Sequence, residues 1–127
     1  MNSIAFPNAQ NRQLLLNSSN AVKLVNHWQI LYIEADDNYS KVFLNDKTEF
    51  LLSKTLQVVE NEIDDQMFFR CHRSFLINIQ FIREIYKGDD MCIILKSGNK
   101  IPLSRRRNGN LRKLLSIKSK TTAYSKK

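Results

Sequence analysis

The chain alternates short apolar stretches with clusters of turn-forming residues, a pattern typical of small antiparallel sheets. Strands are predicted at 14–16, 22–25, on both sides of the polar loop 36–38 within 29–44, and at 48–52, 68–71, 83–87, 91–96 and 100–104. The clusters 45–47, 88–90 and 97–99 supply tight connections between successive strands. Pro102 has no backbone N–H group, so its strand is expected at a sheet edge. The pattern therefore predicts a mainly β fold.

Two segments follow a helical period instead. The first has its apolar residues at Leu56, Val59 and Ile63. Ser53 is its predicted N-cap, and the acidic pair 64–65 is its predicted end. The second segment follows Ser104 and has an apolar stripe at Leu111, Leu114 and Leu115. Gly109 costs about 1 kcal/mol relative to alanine in a helix, so we expect an irregular first turn there.

Length and composition indicate a single globular domain. The chain has 127 residues, of which 43% are hydrophobic and 25% are charged. We expect a flexible lead-in at 1–11, a domain at 12–116 and a basic flexible tail at 117–127. The longest apolar run has five residues and no signal-peptide pattern is visible, so we expect a cytoplasmic protein without a membrane span. Cys71 and Cys92 lie in apolar stretches and are expected to be buried, reduced thiols.

The charge is distributed unevenly along the chain. The formal net charge is +8, yet residues 1–64 hold five basic against eight acidic side chains, whereas residues 65–127 hold fifteen against four. From Lys100 onward there are ten basic residues and no acidic one. This asymmetry is typical of proteins that bind polyanions such as nucleic acids. A basic tail that only keeps the protein in solution is the alternative interpretation.

The sequence offers little for catalysis or for metal binding. Its three glycines all lie in turn-like contexts, so no phosphate-binding glycine loop is present. The acidic pairs 36–37, 64–65 and 89–90 fall at predicted turns or helix ends, where aspartate commonly caps backbone groups. His72 and Ser74 have no identifiable orienting acid, and the cysteines and histidines lack the spacing of a zinc site. We therefore expect no enzyme activity, no cofactor and no metal.

The segment 67–82, MFFRCHRSFLINIQFI, interrupts an apolar run with polar and basic residues. Such an interruption has to reach the surface as a loop or a strand edge. Its donor groups, at Arg70, His72, Arg73 and Ser74, suit phosphate oxygens or base edges. They equally suit a surface arginine–carboxylate pair beside a partly buried histidine whose hydrogen bonds are satisfied. Spacing alone leaves both interpretations open.

The same segment resembles the signature of a known family. The run FFRCHRSFLIN is similar to that of the LytTR DNA-binding domain, the output domain of many bacterial response regulators of the LytR/AlgR type. The stretches ILYIEADDNYSKVFL, KTL and KSGNKIPLSRRR agree as well, in the same order. The resemblance implies an elongated arrangement of small antiparallel β-sheets with short helices. Few residues precede the matching region, so we expect a stand-alone domain without a receiver domain.

The resemblance also implies that loops at strand ends, rather than a recognition helix, read the duplex. The implied reading positions are the loop and strand start 38–41, Arg73 and Arg106. Arg106 fits guanine O6 and N7 as a fork, while its neighbours on either side suit phosphates. As a helix cap, Ser104 leaves free N–H groups for another phosphate. The full predicted contact set is Asn38, Tyr39, Ser40, Lys41, His72, Arg73, Ser74, Asn78, Ser104, Arg105, Arg106, Arg107 and Asn108.

The predicted function is sequence-specific binding of double-stranded DNA by a transcriptional regulator. The resemblance implies paired direct repeats as the target, one domain per repeat, with self-association on the DNA as an option. A protein-interaction module that binds an acidic partner through the basic C-terminal region is the alternative. RNA fits less well, because single-strand platforms usually place aromatic residues among the charges and 105–120 contains none.

Overall fold

The computed structural model describes residues 13–17, 20–63 and 66–119. Within these residues the chain forms ten strands and two α-helices. The strands are β1 (Gln13–Asn17), β2 (Val22–Asn26), β3 (Ile30–Asp36), β4 (Tyr39–Leu44), β5 (Glu49–Leu52), β6 (Phe68–His72), β7 (Phe75–Asn78), β8 (Ile82–Tyr86), β9 (Cys92–Leu95) and β10 (Lys100–Pro102). The helices are α1 (Leu56–Glu62) and α2 (Arg105–Ser119). The prediction of a mainly β fold with short helices is confirmed.

The strands form three antiparallel sheets. β1 pairs with β2, and a three-stranded sheet has the order β10-β9-β8. The other five strands form a central sheet in the order β5-β4-β3-β7-β6. Every pairing joins strands that are consecutive in sequence, except the pairing of β3 with β7. Pro102 lies on the edge strand β10 opposite Cys92, as its missing N–H group predicts.

The central sheet is covered on both faces, each by its own hydrophobic core. The first core joins the sheet to α1 and the β1–β2 hairpin, and includes Leu16, Val25, Ile33, Val42, Val59 and Leu76. The second joins it to α2 and the three-stranded sheet, and includes Tyr32, Ile77, Ile93, Ile101 and Leu111. Each fully buried aliphatic side chain contributes roughly 1.5–3 kcal/mol. The two cores therefore hold both helices firmly against the sheet.

Three local predictions need correction. The N-cap of α1 is Thr55, whose hydroxyl accepts from the N–H of Val58, because the chain still bends through Ser53 before the helix begins. The second helix runs regularly through Gly109, since burial of Leu111 offsets the low helix propensity of glycine. The apolar run 75–82, for which no separate strand was predicted, forms β7, a short 3₁₀ turn and the start of β8.

Helix α2 continues to Ser119, three residues beyond the predicted domain end at 116. The predicted lead-in 1–11, the acidic pair 64–65 and the tail from 120 lie outside the described residues. In the part of the chain that the structure describes, neither helix has the length and hydropathy needed to cross a bilayer.

Candidate nucleic-acid interface

The turns that carry the predicted reading residues lie at one end of the central sheet. β3 and β4 are joined by the 37–38 turn, and β6 and β7 are joined by the 73–74 turn. The N–H of Ala35, near the end of β3, donates to the carbonyl of Ser74 in the second turn over 2.8 Å, so the two turns lie close together. The N–H of Ser104 donates to the carbonyl of Cys71 over 2.9 Å, so α2 begins beside the end of β6. All three predicted reading positions therefore meet at this end of the sheet.

Side chains hold the 73–74 turn in place. Arg70 donates from Nε to the His72 carbonyl (3.0 Å) and from Nη2 to the Arg73 carbonyl (2.5 Å). Its remaining nitrogen, Nη1, donates to Oε1 of Glu60 on α1 over 2.6 Å. The N–H of Ser74 donates to Nδ1 of His72 over 3.1 Å. The turn is thus fixed through both its backbone and the side chains beside it.

The two interpretations of the polar run 70–74 apply to different residues. Arg70 forms the arginine–carboxylate pair, and His72 is a half-buried histidine whose ring meets the edge of Phe75. Arg73 is exposed, and its guanidinium has no partner among the described residues. Arg73 is therefore the member of this run that is free to bind an external acceptor.

Arg73 and Arg106 line the same surface depression, which has a volume of about 360 Å³. The depression lies between α1, the 73–74 turn and the start of α2. Its other lining residues are Gln57, Glu60, Arg70, His72, Ser104 and Arg107. Glu60 is neutralised by the ion pair with Arg70. The remaining arginines give the depression a positive potential, which attracts phosphates and the acceptor edges of bases.

The first turn of α2 concentrates positive charge at the helix N-terminus. The hydroxyl of Ser104 accepts from the N–H of Arg107 over 3.2 Å, so Ser104 caps the helix. Arg105 is exposed and donates to the carbonyl of Asp89 over 3.4 Å, and Arg106 is exposed without a partner among the described residues. Cations at a helix N-terminus oppose the helix dipole. A bound anion would relieve this repulsion, which makes the α2 start a favourable place for phosphate.

The 37–38 turn differs in charge from the other two positions. Asp37 has φ 55, a left-handed conformation that aspartate and asparagine tolerate better than most residues. Asn38 and Tyr39 are exposed, and Lys41 is half-buried on β4. Asp36 and Asp37 make the turn itself acidic. Of the residues predicted here, Asn38 and Tyr39 remain the accessible ones.

Two residues of the predicted contact set are fully buried. Ser40 donates its hydroxyl hydrogen to the carbonyl of Lys54 over 2.8 Å. Asn78 donates from Nδ2 to the carbonyl of Ile30 over 2.9 Å, and its Oδ1 accepts from the N–H of Gln80 over 3.1 Å. The polar groups of both side chains bind the protein's own backbone, so neither side chain is available to contact a nucleic acid. We remove both from the contact set.

Ser74 and Asn108 are half-buried, and neither presents a clear contact group. The backbone of Ser74 is used on both sides, by His72 and by Ala35. Oδ1 of Asn108 is enclosed, with no hydrogen-bond partner in the described part of the chain. An enclosed amide oxygen is poorly placed to read a base, so Asn108 belongs to the packing of α2 rather than to its outer face.

The cysteines lie behind the site, as expected for buried thiols. Cys71 is fully buried, and its Sγ donates to the carbonyl of Pro102 over 3.5 Å. Burial raises the pKa of the Cys71 thiol to about 12, so the reactive thiolate is absent at neutral pH. Cys92 is buried and free as well. Across the described ranges, histidine, cysteine and acidic side chains form no cluster that would hold a metal ion.

Sequence reasoning missed the contribution of α1. Gln57 and Glu60 line the depression, although the predicted contact set includes no residue of this helix. The pairing of Glu60 with Arg70 depends on how α1 lies across the sheet, which no local pattern records. The arginine was visible as part of the polar run, but its partner was not.

A small antiparallel β domain with free arginines on a strand-end turn and at a helix start is built as a nucleic-acid-binding domain. The chain matches the LytTr DNA-binding domain family over residues 20–116. The protein belongs to this family, and the resemblance seen in the sequence is confirmed. Its members are DNA-binding domains.

Individual relatives support the assignment. The chain is 34% identical over 111 residues to the sensory transduction protein LytT of Bacillus subtilis (strain 168), covering 86% of this chain and 46% of that protein. It is 27% identical over 109 residues to the CO-responsive transcriptional regulator RcoM of Rhodospirillum rubrum, covering 84% and 46%. The solved LytTr DNA-binding domain of a putative methyl-accepting/DNA response regulator from Bacillus cereus superposes with a TM-score of 0.70 at 27% identity, covering 81% of this chain and 95% of that one. The chain spans less than half the length of these two curated relatives.

Proposed function

We propose that this protein binds double-stranded DNA in a sequence-specific manner and thereby regulates transcription. The observation that carries the proposal is the convergence of Arg73 and Arg106, two exposed arginines from separate elements, on one depression. A guanidinium fork matches O6 and N7 of guanine in the major groove, and each such pair is worth about 1–3 kcal/mol of discrimination. We assign Arg73 and Arg106 as the base-reading residues.

The groups around these arginines suit the DNA backbone. Arg105, Arg107 and the free N–H groups at the capped start of α2 lie beside Arg106 and offer several donors to phosphate oxygens. The exposed Asn38 and Tyr39, with Lys41 behind them, form the second strand-end turn of the proposed surface. Contacts of this kind to the DNA backbone fix the register of a protein on the duplex, whereas contacts to the bases provide the specificity.

The target and the setting of the protein are part of the same proposal. The family resemblance supports paired direct repeats as the operator, with one domain per repeat and self-association on the DNA. One relative is named a sensory transduction protein and another a transcriptional regulator, which supports a regulatory role in the cytoplasm.

Selection of binding sites from a random duplex pool tests the proposal and yields the operator. We expect one preferred sequence, with tight binding that weakens steeply with salt, because each neutralised phosphate contributes about −0.9 to the slope of log K against log salt. With roughly five to eight phosphate contacts, affinity should fall by orders of magnitude between about 50 and 200 mM salt. A flat salt response and no enriched sequence would instead favour the interaction module for an acidic protein.

Two arginines on the same helix separate base reading from charge. Arg106→Ala and Arg112→Ala remove the same charge from α2, but only Arg106 lines the depression. On the operator and on a scrambled duplex, Arg106→Ala should reduce the ratio of the two affinities by about 5- to 100-fold. Arg112→Ala should lower the affinity for both duplexes by similar factors. Equal effects of both variants on both duplexes would show that Arg106 only positions the protein.

A further inference from the structure

The ion pair between Glu60 and Arg70 connects α1 to the 73–74 turn. The two charged groups approach to 2.6 Å, and their side chains are only 34% and 14% exposed. Every nitrogen of the guanidinium has an acceptor: the carboxylate on one side and two backbone carbonyls on the other. Because its donors are occupied and its charge is balanced, Arg70 has little left to offer to DNA.

The two carbonyls held by Arg70 flank the Cα atom of Arg73. The carbonyl of His72 belongs to the peptide plane before this atom, and the carbonyl of Arg73 belongs to the plane after it. Peptide groups are planar, so holding both planes fixes φ and ψ of the residue between them. The direction in which the Arg73 side chain leaves the backbone is therefore set by the guanidinium of Arg70.

The sheet supplies only part of this restraint. The register of the β6–β7 ladder shifts between Arg70 and His72, and His72 still pairs with Phe75 before the chain reverses. Irregularities of this kind bend a strand and change the direction of a side chain. The guanidinium of Arg70 adds contacts to the carbonyls of His72 and Arg73 at the point where the chain reverses.

We propose that Glu60 and Arg70 are positioning residues that hold Arg73 in the orientation needed to read a base. The inference rests on the proposed function, since it gives DNA specificity to an ion pair that does not touch DNA. A side chain that is already oriented loses less conformational freedom on binding and fits only its correct acceptor. Loosening the turn should therefore reduce discrimination between sequences more than it reduces binding to DNA in general.

The chain offers a matched control on the same helix. Glu62 of α1 forms an ion pair with Lys54 at 2.8 Å, with side chains 45% and 47% exposed. This pair joins the helix to the segment just before it and makes no contact with the 73–74 turn. Glu60→Ala and Glu62→Ala thus remove the same charge two residues apart, and only the first breaks the connection to Arg70.

The test compares the affinity of each variant for the selected operator and for a scrambled duplex. Glu62→Ala should strengthen binding to both duplexes by a similar, small factor, because the net charge of the protein becomes more positive. Glu60→Ala should lower the operator-to-scrambled ratio by roughly three- to tenfold. Arg70→Lys keeps the charge but cannot hold both carbonyls, so it should lower the ratio similarly without changing the salt slope. Circular dichroism of each variant serves as the control for folding.

A double-mutant cycle shows whether the pair acts through Arg73. In the Arg73→Ala background, Glu60→Ala should leave the ratio unchanged, because the residue that it positions is already gone. A further fall in this background, or equal ratios for Glu60→Ala and Glu62→Ala, would overturn the inference while leaving specific DNA binding intact. If the unaltered protein shows no preference for any duplex, it is the proposed function that fails.

Discussion

The 73–74 turn and the 37–38 turn lie side by side at one end of the central sheet, yet they are built differently. The first is basic, and side chains of Arg70 and His72 hold its backbone. The second is acidic, and its reversal rests on the left-handed conformation of Asp37. A restrained arginine suits a contact that demands one geometry. The acidic turn carries no cation of its own and, besides its two aspartates, offers only the polar side chains of Asn38 and Tyr39 as accessible groups.

We expect from this difference that the two turns contribute to DNA binding in different ways. Under the proposed function, loss of the oriented arginine should remove a specific contact, whereas changes in the acidic turn should alter mainly the electrostatic potential around the DNA. The contrast extends beneath the surface. Cys71 lies under the basic turn in an apolar environment, and Ser40 lies under the acidic turn with its hydroxyl bonded to a backbone carbonyl.

The largest expected difference in DNA affinity is between the variants Arg73→Ala and Asn38→Ala. Arg73→Ala should cost about 1–3 kcal/mol of binding free energy on the operator and much less on a scrambled duplex, because a bidentate base contact is lost. Asn38→Ala should cost under about 1 kcal/mol, since no residue in the described part of the chain holds its side chain in one orientation. Fluorescence anisotropy titrations at one salt concentration measure both variants. A larger loss for Asn38→Ala would reverse the roles assigned to the two turns.

The apolar environment beneath the basic turn has a consequence at high pH. Burial raises the pKa of Cys71 to about 12 in the folded protein, from 9.0 for an unperturbed thiol. Below pH 9 the thiol is protonated in both states and its ionisation does not affect stability. Above pH 9 the unfolded chain loses this proton and the folded chain retains it, so stability falls as pH rises towards 12.

Cys71→Ala isolates this effect. The variant should be less stable than the unaltered protein at pH 8, because a buried sulfur is lost. The difference in free energy of unfolding between the two proteins should narrow by roughly 1 kcal/mol for each pH unit above 9, since only the unaltered protein carries the raised pKa. Urea unfolding at pH 8, 9 and 10 measures this difference. A constant gap would mean that Cys71 is more accessible to water than its burial indicates.

Local patterns predicted most elements of this fold. Alternation of apolar and polar residues located the strands, and Pro102 correctly indicated an edge. The tight connection at 45–47 and the turn at Gly98, with φ 96, were recognisable from their residue types. The run 75–82 was not resolved into β7, a 3₁₀ turn and β8, because its residues are apolar on both sides of the break. The break itself is made by Asn78, whose side chain caps the 3₁₀ turn.

The composition of the contact surface was harder to predict, because a family signature does not separate surface residues from buried ones. Asn78 and Ser40 belong to the matched stretches, yet their side chains hold backbone groups inside the protein. Arg70 and Arg73 are three residues apart in one polar run, and only the position of α1 decides which of them is paired. Long-range packing of this kind leaves no trace in local spacing.

A smaller effect, on stability, is expected when the buried Ser40 beneath the acidic turn is changed. Ser40→Ala removes the donor to the Lys54 carbonyl and should lower the free energy of unfolding by about 1 kcal/mol. Ser53→Ala, at an exposed position nearby, should change it by less than about 0.5 kcal/mol. Neither variant should alter the operator-to-scrambled ratio. A lower ratio for Ser40→Ala at unchanged stability would restore Ser40 as a DNA contact.

The smallest expected effect is electrostatic and concerns Asp37→Asn. Asparagine also tolerates a positive φ, so the turn keeps its shape while one acidic charge is removed. Binding to operator and scrambled duplexes should strengthen by a similar factor of about two at low salt, and the gain should fade as salt screens the charge. A selective loss on the operator would show instead that Asp37 accepts a hydrogen bond from a base, such as N4 of cytosine.

Asp46→Asn is the matched control, because it removes the same charge at the opposite end of the sheet. Asp46 lies in the turn after β4, a strand of six residues that places the two turns about 20 Å apart. This separation exceeds the Debye length of about 10 Å at 0.1 M salt. Asp46→Asn should therefore leave DNA affinity nearly unchanged at this ionic strength. If it strengthened binding as much as Asp37→Asn, net charge alone would account for the gain, and the acidic turn would lie away from the DNA.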